Sequence, residues 1–360
     1  MLLPHAVWKK YRKMYLGKKS PLQRPKMENS KITIEDIARE LNISKTTVSR
    51  AISGKGRVSP ETRERVRKLI AKCNYRPSAI AKSLAQSKTF NIAFTMPGEY
   101  GFIDMPFFQK CMWGISNVAG ESDYDVLLCM MEEGELKSLK RLIDNHKVDG
   151  VILGRTYEND AAERFLLESG MPFVTVGTSV NPDAIQVDND HYQACKELTS
   201  VLLLKGLKKL SLIGGSTKYI VNTNRMNGFI DAHRAMGREY SDRLIKTGIE
   251  DPAELDAVVE RFVKAGSDCI VCMDDFICNQ VLLKLSKMQI GIPDRIRVAS
   301  FYNSAMLENH RPSITSLQFD AVEAGTRSCE IMMRLIEDKK VNKKTWLGYK
   351  VKLNESTNVS

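Results

Sequence analysis

From residue 91 onward, short apolar runs alternate with amphipathic helical stretches, and no other feature of the chain restricts its fold so tightly. NIAFTM, DVLLCMM, DGVILG and PFVTVG are strand-like, and helical segments near 107–120, 135–146 and 161–169 separate them. A strand with one wet face alternates polar and apolar residues, whereas a strand covered on both faces is apolar throughout. These runs are of the second kind, so they predict a parallel sheet with helices on both sides. The pattern begins again at AIQVD and continues through KLSLIGG, RLIKTG, CIVCMD and RVASFY. Two such halves predict a two-lobed, doubly wound α/β body with a ligand cleft between the lobes.

That body leaves the first quarter of the 360 residues to something else. At 43% hydrophobic and 27% charged the chain is globular and long enough for two or three domains. Its net charge of +11 is unevenly distributed: residues 1–26 hold eight Lys/Arg and no acid, residues 27–88 fourteen against six, and the remainder 32 against 37. The excess positive charge sits at the front, which points to a polyanionic partner there and a different task for the body.

Residues 31–53, KITIEDIARELNISKTTVSRAIS, show what the front is. Ile34, Ile37, Ala38 and Leu41 fall on one helical face, with Thr33 as N-cap and Asp36 in the first turn, so a helix is expected over about 34–41. Asn42-Ile43-Ser44 makes a turn, Ser44 caps a second helix, and Val48, Ala51 and Ile52 form its buried side. Lys45, Thr46, Ser49 and Arg50 then face outward, all with side chains that bond phosphates or base edges. A third helix starts with Ser59 as cap and Pro60 at its first position, and buries Val66, Leu69, Ile70 and Cys73. Three short helices with a polar second one describe a helix-turn-helix. Pro77 ends the third helix, Ser78 can cap a further short one, and AIAKSLA is a helix-favouring run too short to persist alone.

In order and spacing, TIEDIARELNISKTTVSRAIS, SPETRERV and NYRPSAIAKSLA resemble the headpiece and hinge helix of the lactose-repressor family of bacterial transcription regulators. IQVDND, the RMNGF around Arg225, the MDD ending at Asp275 and PSITSLQFD around Asp320 look like landmarks of the same family, and the likeness runs from about Ile32 to LNEST. The resemblance implies a multi-domain protein: an all-α helix-turn-helix headpiece joined to a two-lobed, doubly wound α/β effector domain like a periplasmic sugar-binding protein. The bounds it implies are a basic extension at 1–30, a headpiece at 31–76, a hinge at 77–88 and an effector-binding and dimerisation domain at 89–360. Within that domain the first lobe takes about 89–187 and 315–343, and the second about 188–314 and 344–360.

The implied function is sequence-specific repression of transcription by a cytoplasmic homodimer on pseudo-palindromic double-stranded DNA, controlled by a sugar or sugar derivative in the cleft. Expected DNA contacts are Thr33, Ser44, Lys45, Thr46, Thr47, Ser49 and Arg50, with Ser78 and a minor-groove wedge at Leu84. The resemblance puts Asp188, Arg225 and Asp275 where ligand-binding groups converge, and Phe107 and Phe108 near the rim as stacking surfaces. Two departures bear on the effector: Gly206-Leu207 stands where relatives often have Gly-His, and Tyr302-Asn303-Ser304 where an acidic pair commonly follows the aromatic. The runner-up is a global catabolite-type regulator answering to a phosphocarrier protein. A solute-binding protein would suit the body, but the basic headpiece and the lack of a signal peptide argue against it.

Other classes find little support. No run approaches the roughly 18 apolar residues of a membrane span. GGSTK at 214–218 lacks the rest of a phosphate loop and reads as a strand-to-helix turn at the cleft. The five His (5, 146, 191, 233 and 310) are dispersed, and Cys269 and Cys272 lie on one strand facing opposite ways. No cofactor, metal site or catalytic role is expected. The basic first 26 residues are either a disordered arm adding phosphate contacts or lie upstream of a true start at Met27, the reading favoured here.

Overall fold

The computed structural model describes residues 32–53, 56–73, 75, 83, 86–98, 106–132, 134–249 and 251–358. It divides into a unit ending at Gln86 and one starting at Ser87. The expected Ser78 and Leu84 contacts lie outside the described residues.

Among the described residues the first unit holds three helices: α1 (Ile34–Leu41), α2 (Lys45–Ser53) and α3 (Pro60–Cys73). Each begins on a hydroxyl cap. Thr33 accepts the amide of Asp36, whose carboxylate accepts the amide of Thr33 in return, a reciprocal capping box. Ser44 Oγ accepts from Thr47 N at 3.0 Å and Ser59 Oγ from Thr62 N at 3.2 Å. Asn42, left-handed at φ 53°, ends α1 and turns the chain into α2. Ile37, Ala38, Val48, Ala51, Val66 and Leu69 form the buried core, one small cluster drawn from all three helices.

The second unit contains two six-stranded sheets. The first lobe uses β1 (Asn91–Pro97), α4 (Pro106–Glu121), β2 (Asp125–Met131), α5 (Lys137–Asp144), β3 (Gly150–Leu153), α6 (Ala161–Ser169), β4 (Phe173–Val176) and β5 (Gln186–Asn189). The second uses α7 (His191–Leu204), β6 (Leu210–Ile213), α8 (Ile220–Ala235), β7 (Ile245–Lys246), α9 (Pro252–Lys264), β8 (Cys269–Cys272), α10 (Asp275–Lys287), β9 (Arg297–Ser300), α11 (Ala305–Glu308) and β10 (Thr315–Phe319). The chain then returns through α12 (Ala321–Ile336) and β11 (Lys344–Leu347) to the first lobe and ends in β12 (Tyr349–Lys352) on the second.

The strand orders are β2-β1-β3-β4-β5-β11 and β7-β6-β8-β9-β10-β12. Every ladder is parallel except β10 with β12. The two lobes thus repeat one doubly wound order, with switch points between β1 and β3 and between β6 and β8. Strands β3, β4 and β8 are buried at every residue, as sheets covered on both faces require.

Lobe membership differs from the sequence expectation at three places. All of β5 belongs to the first sheet, so the first crossing follows Asn189 and not residue 187. β10 belongs to the second sheet, not the first, and β11 to the first, not the second. KTWLGYKVK reads locally as one strand, yet only Gly348 separates two strands that join different sheets. Asn189 Nδ2 donates to Gly348 O at 2.7 Å, tying two of the three crossings together. No helix among the described residues is long and apolar enough to cross a membrane.

Candidate functional sites: a helix-turn-helix face and an interlobe cleft

On the first unit the outward face of α2 is as expected in composition. Lys45, Thr46, Ser49 and Arg50 are exposed and Thr47 is half-buried. Thr33 and Ser44 differ from the others: both hydroxyls are engaged in caps, Thr33 Oγ1 with Asp36 Oδ2 at 2.7 Å and Ser44 Oγ with Thr47 Oγ1 at 2.9 Å. Their first task is therefore to shape the helix ends. Lys45 Nζ pairs with Glu35 on α1, a partner the sequence did not suggest, and this bond holds the Glu35 carboxyl below its ordinary range. The stem of Arg50 lies against Gly56, where a Cβ would come 3.1 Å from Arg50 Cδ and the backbone is left-handed at φ 86°.

In the second unit, ligands are expected outside the carboxyl ends of the strands, at the switch points. A cavity of about 270 Å³ lies there in the first lobe. It is lined by the ends of β1, β2 and β3, by Arg155, Tyr157 and Asp160, and by Lys218 from the second lobe. None of the five expected effector residues lines it. They divide differently.

Arg225 and Asp275 share two neighbours, Tyr302 and Asp274. Arg225, on α8, is 7% exposed, and Asp275, the first residue of α10, is 3% exposed. Among the described residues neither side chain makes a hydrogen bond or ion pair, and Arg225 Nε is buried without a partner. Both act on common neighbours. Burial and then the charge of Asp275 push the Tyr302 phenol up, and Arg225 opposes this. Burial likewise raises Asp274, while the Ile277 amide and Arg225 pull it down. Phe107 joins through Tyr302, the ring centroids 6.3 Å apart. Ser304 Oγ is another buried polar atom without a partner among the described residues.

Asp188 and Phe108 are used otherwise. Asp188 Oδ2 accepts from Thr178 N and Thr178 Oγ1, both at 2.7 Å, and Oδ1 accepts from Asn189 N at 2.8 Å. His191 Nε2 stands 3.5 Å from Oδ1. Burial opposes charge on Asp188, but His191 and these donors outweigh it and hold the carboxyl below its usual range. Its lone pairs are occupied by protein donors, which makes it a support for the 177–189 segment. Phe108 is a core residue at 4% exposure, packed with Ile92, Phe94 and Ile115, while its neighbour Phe107 is half-buried and touches both lobe cores. Successive helical residues lie about 100° apart, so the two adjacent Phe face different surroundings.

The residues that sequence reasoning passed over are His191, Arg155, Tyr157 and Tyr219. Arg155 lies over the ring of Tyr219 at 4.2 Å and near that of Phe108 at 5.5 Å. His191 stands three positions from Asp188 and was within local reach, whereas Arg155, Tyr157 and Tyr219 have partners far away in sequence. GGSTK is the β6–α8 turn, held by Asn222 Nδ2 to Ser216 O at 2.9 Å and Thr223 Oγ1 to Thr217 O at 2.9 Å.

Residues 33–78 match the model of bacterial regulatory proteins of the lacI family, and residues 96–349 that of periplasmic binding proteins and the sugar-binding domain of the LacI family. The chain belongs to the lacI family of bacterial regulatory proteins. Among similar LacI-family members is the HTH-type transcriptional regulator MalR of Streptococcus pneumoniae, 29% identical over 337 residues, covering 87% of this chain and 95% of that one. Catabolite control protein A of Staphylococcus aureus is 28% identical over 318 residues, covering 86% and 94%. In fold, the chain matches the lac repressor dimer bound to operator and an anti-inducer with a TM-score of 0.76 at 16% identity, covering 91% of this chain and 99% of that one. The transcriptional regulator CelR in complex with cellobiose gives 0.69 at 23%, covering 90% and 99%. As a member of this family the chain is a transcriptional regulator with a helix-turn-helix headpiece and a two-lobed body.

Proposed function

We propose that the protein is a non-catalytic, cytoplasmic, homodimeric repressor whose operator affinity is set by a small hydroxylated ligand, a sugar or sugar derivative, bound between Arg225 and Asp275. The observation that carries this reading is that pair: a buried guanidinium and a buried carboxylate, neither bonded to any described residue. A buried charge without a partner is costly, so the arrangement is stable in function when something completes it. A polyol suits both groups, since its hydroxyls donate to Asp275 and accept from Arg225, with Tyr302 and Phe107 as flat apolar surfaces.

On the DNA side, Arg50 and Lys45 supply contacts to base edges and phosphate, and two headpieces in a dimer read the two halves of a pseudo-palindrome. Residues 77–88 connect the two functions, with Ser78 on the backbone and Leu84 in the minor groove. A ligand that favours one closure of the lobes shifts operator affinity by its difference in affinity for the two closures, about 1–3 kcal/mol for typical coupling.

The test is titration of operator binding against a panel of neutral sugars and sugar phosphates, with a duplex selected by this protein from a randomised pool. A saturable change in affinity with one of them, lost in Asp275→Ala, is the expected result. A response to a phosphocarrier protein and to no sugar would overturn it.

A further inference from the structure

The two lobes are joined by more than the three chain crossings. Glu158 N donates to Lys218 O at 3.3 Å and Ile220 N donates to Thr156 O at 3.4 Å, making an isolated antiparallel bridge between Tyr157 and Tyr219. The two tyrosine rings lie 5.3 Å apart, and the Arg155 guanidinium covers Tyr219. This bridge closes the cleft at the wall of the 270 Å³ cavity, which Arg155, Tyr157 and Lys218 line.

Its position gives it leverage. The crossings leave from β5, β10 and β11, at one edge of each sheet, whereas the bridge follows β3 and β6. In the first sheet β3 stands three strands in from β11, roughly 14 Å at the usual strand spacing. A pair of bonds that far from a hinge resists opening far better than the same pair beside it. The contacts are made wholly by protein atoms, so they need no ligand.

We propose that the Tyr157–Tyr219 bridge is an interlobe latch that holds the body closed without effector and thereby sets the operator affinity of the ligand-free protein. The latch is an element of the chain, separate from the Arg225–Asp275 pair. Its effect on DNA rests on the regulatory reading above; its existence does not.

The bridge geometry offers a direct test. Tyr157 and Tyr219 are a non-hydrogen-bonded antiparallel pair, the kind whose Cα atoms lie about 4.5 Å apart, within the range a disulfide spans. The full-length double variant Tyr157→Cys/Tyr219→Cys, free of added sugar, should form an intramolecular disulfide under mild oxidation, and neither single variant should. Seven of the eight native cysteines are buried and Cys73 is half-buried, so the single variants control for stray pairing. Ile220→Pro supplies an independent arm. It removes one latch donor at the first position of α8, where proline is tolerated, and Tyr219 is already extended at φ −84°, ψ 122°. Hydrogen exchange at the Glu158 amide should quicken at least tenfold in that variant. Ile220→Pro should differ from the wild type in affinity for the selected duplex by roughly 5-fold or more, whereas the oxidised double variant, locked in the closure the latch already favours, should keep the affinity of its reduced form.

Failure to crosslink, or an unprotected Glu158 amide in the wild type, would show that the lobes rest open and overturn the latch. Quickened exchange at Glu158 in Ile220→Pro without any change in DNA affinity would overturn its regulatory role. Loss of selective DNA binding by the unmodified protein would instead overturn the repressor reading, and the two failures are distinguishable.

Discussion

His191 Nε2 lies 3.5 Å from Asp188 Oδ1, with both residues 8% exposed. Burial lowers the imidazole pKa, Asp188 opposes this, and Arg225 adds to the lowering. At neutral pH the folded state thus favours neutral His191, and Asp188 stays ionised through its Thr178 and Asn189 donors. A histidine with a depressed folded pKa gains a proton on unfolding, so its stabilising effect is present above the unfolded value near 6.5 and declines as pH falls below it. Asp188 adds a second loss at lower pH, as the medium falls through its depressed folded pKa. Urea midpoints of the wild type should drop between pH 7 and pH 5.5, and His191→Gln should flatten that part of the curve. Parallel curves would show that His191 titrates alike in both states.

Asp188 and Asp275 should separate in their phenotypes. Asp188→Ala leaves the Thr178 and Asn189 amides without their acceptor, a loss of about 1–3 kcal/mol for buried groups. Asp275→Ala removes a carboxylate that bonds no described residue, so stability should hold while the effector response disappears. Urea denaturation and operator titration on both variants check the pair; an Asp275→Ala protein that still answers the same sugar at the same concentration refutes the pocket.

Arg50→Ala should weaken binding to the selected duplex by about 1–3 kcal/mol and to a scrambled duplex much less. Equal losses on the two would identify Arg50 as a phosphate contact. Gly56→Ala should act in the same direction indirectly, because a Cβ there presses on the Arg50 stem from a left-handed backbone.

Glu35→Gln should release Lys45 from its partner on α1. Affinity for random duplex DNA should rise, and the dependence of log K on log salt should steepen by about one unit of slope. An unchanged slope would mean that Lys45 already meets phosphate despite Glu35.

Where α4 and α12 cross, a Cβ at Gly325 would lie 2.0 Å from Cys111 O. Gly325→Ala should therefore destabilise the body by about 1–3 kcal/mol or more. Gly120, also on α4, has nothing within 4 Å of its Cβ position, and Gly120→Ala should stabilise by about 0.5–1 kcal/mol. Thermal melts of both variants, one lowered and one raised, test the close approach of the two helices.

The sequence by itself carried whatever is encoded in residues a few positions apart. The caps at Thr33, Ser44 and Ser59, the apolar stripe of the headpiece and the order of strands and helices from Asn91 to Ser300 are of this kind, because caps and periodicity act within one turn or one strand. The tertiary structure alone decided which sheet each half of KTWLGYKVK joins, since a strand pattern reports burial and not its neighbour. It also decided that Asp188 is bonded by Thr178, that Phe107 and not Phe108 meets Tyr302, and that Tyr157 meets Tyr219. A carboxylate or a ring has the same local signature whether it awaits a ligand or already has a partner. Only the long-range packing that brings that partner within about 3 Å distinguishes the two.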